Sequence, residues 1–149
     1  MNAVQYGDET EPGGALSSGQ IATMIALGAA LWFLAAMILK VVGPMGAHEG
    51  FARILLYGLI VPGSVPFVFL MARLGRLQGI QLPLGVAVAD ATALMLDGVA
   101  VAWLPGLYGD NAAHALGAAT AILWGAGVIL ALAFIMVPWV SAPQKEPIG

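Results

Sequence analysis

Four long apolar runs, separated by short Gly- and Pro-bearing turns, constrain this chain more than any other feature. They cover about residues 21–42, 51–74, 82–104 and 112–140. Each is near or above the roughly 20 residues that a helix needs to span a bilayer. In lipid every backbone polar group must be satisfied within the segment, so such runs form helices. The reading is an all-α, four-transmembrane-helix bundle. Composition agrees: the 149 residues are 60% hydrophobic and 9% charged, where a soluble domain carries about 25% charged residues.

The domain plan follows directly. Residues 1–20 read as a polar N-terminal tail, 21–140 as the four-helix membrane domain, and 141–149 as a polar C-terminal tail. The first run lacks a basic flank and exceeds a signal-peptide core, so it reads as a retained first span. Ser17 or Ser18 caps the first helix, and Asp110 or Asn111 the fourth. With four spans, Arg73, Arg76 and Lys145 share the face of both termini, opposite Lys40 and Arg53. The positive-inside rule then puts the termini in the cytoplasm.

Several classes are set aside. The chain has no cysteine, which excludes thiolate metal sites and covalent haem attachment through CxxCH. Its five Lys plus Arg do not cluster, so nothing points to nucleic acid. No GxSxG or HExxH occurs. Intramembrane aspartyl proteases need aspartates on two helices, and here the pair shares one. No catalytic residue, resident metal or cofactor is expected. His48, Glu49, Asp110 and His114 gather at one membrane face, but without the spacing of a known metal site.

Asp90 and Asp97 are the strongest functional clue. They lie seven residues apart inside the third run, about two turns, and so on one helix face. Each costs roughly 2.5–3.5 kcal/mol at the centre of a membrane helix on insertion scales. Such groups face protein, water or a ligand. One reading makes them stations of a proton or cation relay. The other makes them structural ion pairs, Asp97 with Lys40 or Arg53 and Asp90 with Arg73. The second run carries PGSVP, and Pro62 and Pro66 each remove a backbone donor. A helix break at Pro62, Gly63, Ser64 and Pro66 is therefore expected, as at the interrupted helices of transporters. Small residues recur every four positions at Ala22, Ala26 and Ala30, at Gly85, Ala89 and Ala93, and at Ala113, Gly117, Ala121 and Gly125. These rows are the expected packing ridges, and Asp97 continues the second. Trp32 and Trp124 lie deep in their runs and are read as core or lipid contacts.

LGAALWFLAAMILKVVG (27–43), VPGSVPFVF (61–69), LMLDGVAVAW (94–103) and ILWGAG (122–127) carry a resemblance. Over about residues 21–137 the chain resembles a bacterial four-helix integral membrane family known only as a domain of unknown function. The resemblance implies that Asp97 and Trp124 are family features, and that the chain resides in the bacterial inner membrane. Lys40 stands where that family has arginine, Asp90 matches nothing in it, and a proline ahead of LMLD is missing. No activity comes with it.

Two functions are expected. The first is a small accessory or assembly subunit of a larger inner-membrane complex. The second is a small homo-oligomeric transporter or channel with an intramembrane aspartate relay. The partners in either case are the lipid bilayer and other membrane subunits or further copies of the chain.

Overall fold

A computed structural model describes residues 14–140. The expected polar tails fall outside the described residues, except for 14–20. There the first helix begins three residues earlier than the apolar run. Ser17 caps it: its hydroxyl accepts from the Gln20 amide, and the Gln20 side chain accepts from the Ser17 amide. This reciprocal box satisfies two otherwise unpaired donors.

The helices are α1 (Ser18–Val42), α2 (Gly50–Leu74), α3 (Gln81–Trp103), α4 (Ala112–Ile135) and the short α5 (Val137–Val140). Single 3-10 turns at Gly43–Met45 and Pro105–Leu107 lie in the connections after α1 and α3. The fourth run was expected to be one helix to residue 140. It instead breaks at Met136, because Pro138 cannot donate to the carbonyl four residues back and its ring crowds that turn. Asn111 caps α4, its side chain accepting from the His114 amide at 2.9 Å.

All four long helices are long and apolar enough to cross a membrane, which makes this a multi-pass membrane protein. Large apolar side chains lie on the outside, among them Phe33, Phe51, Leu59, Leu116 and Phe134. In lipid they carry no exposure penalty.

Packing is uneven around the bundle. α1 packs mainly on α3, α2 on α4 and α3 on α4, while the sequence neighbours α1 and α2 scarcely touch. Two buried clusters hold the ends. One gathers Met24, Val68, Met71, Leu82 and Val86 around Leu77. The other gathers Ala36, Leu39, Ala100, Ala115 and Ala118 around Tyr108. The Gln20 amide ties the first end together by donating to the Gly75 carbonyl at 3.1 Å and to Gln81 at 3.3 Å.

The small-residue ridges are partly as expected. Gly85, Ala89 and Asp97 are buried on α3. On α1 the expected ridge is on the wrong side: Ala22, Ala26 and Ala30 are exposed, and the packing face is Met24, Gly28 and Ala36. Gly28 decides this. A Cβ there would fall on the Ala89 carbonyl and lie 2.9 Å from Ala89 Cα, so only glycine lets the two backbones approach this closely.

α2 contains a second correction. It runs as unbroken α-helix through Pro62 and Pro66, so the expected break does not form. Pro62, Gly63 and Pro66 are exposed and Ser64 is buried. Prolines are tolerated within membrane helices where surroundings and local adjustment re-satisfy the backbone. The Ser64 hydroxyl turns back to donate to the Ile60 carbonyl at 2.7 Å.

Candidate functional site

Asp97 is the polar centre of the bundle. It is 8% exposed, and two donors from distant parts of the chain meet it. The Trp32 indole N–H of α1 donates to Oδ1 at 2.8 Å. The Tyr108 hydroxyl, just after the 3-10 turn that follows α3, donates to the same oxygen. The indole N–H also lies 3.2 Å from the Tyr108 hydroxyl oxygen. Burial, reinforced by the bond to Asp97, pushes the Tyr108 hydroxyl above the usual phenol range, so it stays a proton donor. Gly28 sits one turn before Trp32, and its contact with Ala89 sets α1 close enough for the indole to reach α3.

The expected ion pairs do not form. Lys40, Arg53 and Arg73 are exposed, and no ion pair occurs among the described residues. The physical reason is that aromatic donors already surround Asp97. They offer its carboxyl hydrogen bonds without burying a second charge. Both converge on Oδ1, and no hydrogen bond to Oδ2 occurs among the described residues.

Asp90 lies two turns earlier on the same face and has no hydrogen-bond or ion-pair partner among the described residues. It lines a cavity of about 380 Å³ that all four helices enclose at mid-span. Asp97 and Ser64 also line it, and the other walls are apolar. Leu34 and Ile38 of α1 and Leu59 and Gly63 of α2 form its rim. Leu34, Ile38, Leu59 and Gly63 are exposed, so the cavity opens sideways toward lipid through the gap between α1 and α2. The volume falls within the roughly 300–1,000 Å³ of small-molecule sites.

PGSVP contributes to this cavity without interrupting a helix: Gly63 and Ser64 are in its wall. Trp124 links α4 to α2, donating to the Tyr57 carbonyl at 3.1 Å and stacking on the Tyr57 ring at 5.8 Å. The role of Tyr108 was not read from the sequence. An aromatic beside a Pro–Gly turn looks like an interfacial residue, and no local pattern ties it to a carboxyl eleven positions earlier.

His48 and His114 come together at the end of the bundle that holds the connections after α1 and α3, but no group of three possible metal ligands exists among the described residues. His48 is 9% exposed and rests on Gly117, where a Cβ would come within 2.6 Å of its ring. Neither ring nitrogen has a hydrogen-bond partner among the described residues. Burial, then the neighbouring His114, lowers its pKa from 6.5, and the nearby Leu39 carbonyl opposes this only in part. A histidine kept neutral by the fold favours folding above pH 6.5. That advantage is lost as pH falls from 6.5 through the lower folded value, because the unfolded chain takes up the proton first. Thermal stability of the wild type is therefore expected to drop between pH 7.5 and about pH 5. His48→Leu is expected to flatten that drop. Equal slopes in the two proteins would remove His48 as the cause.

No known protein family, characterised protein or solved structure matches the chain.

Proposed function

We propose that the protein is a small transporter or carrier of the bacterial inner membrane, with both termini cytoplasmic and the α1–α2 cavity as its binding site. One observation carries this: Asp90 has no partner among the described residues and stands in a mostly apolar cavity open to the bilayer. A fold gains nothing from an unsatisfied carboxyl there, and its cost is a few kcal/mol. A molecule that enters and engages it gives that cost a purpose. Asp97, held by Trp32 and Tyr108, is the fixed second polar point about 10.5 Å along the helix.

The accessory-subunit reading has its own support. The row Ala22, Ala26 and Ala30 is exposed on α1, and small residues at four-residue spacing suit close packing against a further helix. Native mass spectrometry of the protein, extracted from its own membrane in polymer nanodiscs, separates the two. The transporter reading expects a non-covalently held small molecule that Gly63→Phe displaces. That substitution is suited to the test because Gly63 lines the cavity and a Cβ there meets no atom within 4 Å. A stoichiometric foreign protein with no small-molecule mass would overturn it in favour of the accessory role.

A further inference from the structure

Resting on the carrier reading, we propose that the ligand is a lipophilic organic cation, entering from the bilayer between α1 and α2. Charge complementarity argues for it. Two carboxyl groups, Asp90 and Asp97, line the cavity, and no Lys, Arg or His does. Both donors of Asp97 take Oδ1 and leave Oδ2 without a partner among the described residues, on a residue that lines the cavity. Asp90 has no hydrogen-bond or ion-pair partner among the described residues. Two unmatched acceptors in a mostly apolar wall select a positive centre, and the wall itself selects the apolar groups attached to it.

The remaining features fit the same ligand. A carboxylate in a low-dielectric site attracts a counter-charge far more strongly than one in water. Lipid-facing rims on Leu34, Ile38 and Leu59 admit a molecule already dissolved in the bilayer, and would not wet a small inorganic ion. A hydrophilic cation would need an aqueous path to the site. An organic cation with its charge shielded by hydrocarbon or aromatic groups needs only the gap between two helices. Trp32 also lines the cavity beside Asp97 and adds an aromatic surface, a further attraction for cations.

The test uses the full-length protein in phosphatidylcholine nanodiscs. Binding of tetraphenylphosphonium is measured by equilibrium dialysis, with empty nanodiscs subtracted. Its borate twin supplies the opposite charge and triphenylphosphine oxide a neutral comparison. The expected result is saturable, one-to-one binding of the phosphonium alone. Asp90→Asn should weaken it by about tenfold or more, as loss of a desolvated charge partner does, while Asp90→Glu largely retains it and Gly63→Phe abolishes it. Because Asp90 bonds to no described residue, its variants should unfold at or above the wild-type temperature, Asp90→Asn being relieved of an unsatisfied charge. Equal binding of the neutral compound, unchanged by Asp90→Asn, would overturn the cation and leave the carrier reading standing. No binding by any probe would also overturn the cation. If native mass spectrometry then shows no displaceable small molecule either, the carrier reading falls with it.

Discussion

Gly28→Val is expected to destabilise the bundle by about 3 kcal/mol or more, at the upper end of what overpacking a core costs. The missing side chain at Gly28 is where the Ala89 backbone sits. A backbone carbonyl cannot turn aside as a methionine tip can, so α1 and α3 must separate as rigid bodies. That separation also draws the Trp32 indole away from Asp97 and loosens the main contact of α1. Lipid offers little hydrophobic drive to hold helices together once close packing is lost. Gly28→Ala should cost less, about 1–2 kcal/mol. Gly58 is the internal control: a Cβ there meets nothing within 4 Å. Gly58→Ala should therefore be neutral or stabilise by up to about 1 kcal/mol through helix propensity. SDS-driven unfolding in mixed micelles measures all three. A Gly28→Val protein as stable as Gly58→Ala would refute the α1–α3 contact.

Asp97→Ala should cost about 2–3 kcal/mol, since the Tyr108 hydroxyl, in a fully buried residue, loses its acceptor. The Trp32 N–H fares better, because the Tyr108 oxygen is still 3.2 Å away. Asp97→Asn keeps an acceptor oxygen and should stay within about 1 kcal/mol of wild type. Tyr108→Phe removes the donor and leaves Asp97 with the indole alone, for about 1–1.5 kcal/mol. The two losses are not independent. In the double variant Asp97→Ala/Tyr108→Phe no phenol remains to be orphaned, so a double-mutant cycle should return a coupling of about 1 kcal/mol or more. Additive losses would mean that the aspartate and the tyrosine act separately and that Asp97 is held by something else.

The contrast between Asp97 and Asp90 bears on what each does. The first is fastened by two donors and is a positioning group as well as a wall of the cavity. The second is fastened by none of the described residues. Loss of Asp97 should therefore lower stability as well as binding, while loss of Asp90 should weaken binding with no loss of stability.

The sequence by itself determined what depends on neighbours along the chain. Run length against bilayer thickness set four helices, and their ends fell within a few residues of the apolar boundaries. Caps were readable to within one residue, as Ser17 or Ser18 and as Asp110 or Asn111, because a cap acts on the next three residues; the structure has Ser17 and Asn111. The depth of Asp97 was readable because it continues the Gly85, Ala89 and Ala93 row. Face selection was not readable on α1. An alanine-rich helix carries the four-residue spacing on more than one side, and only the backbone approach at Gly28 chose between them. Pro62 and Pro66 signal a break locally, yet the helix continues through both. The partners of Asp97 come from 65 residues before it and 11 after it. The cavity exists because α1 and α2, adjacent in sequence, lean on α3 and α4 instead of on each other. Local hydrogen bonding and hydropathy specify helices; which helices touch, and what is left unpaired between them, is settled only by how their surfaces fit.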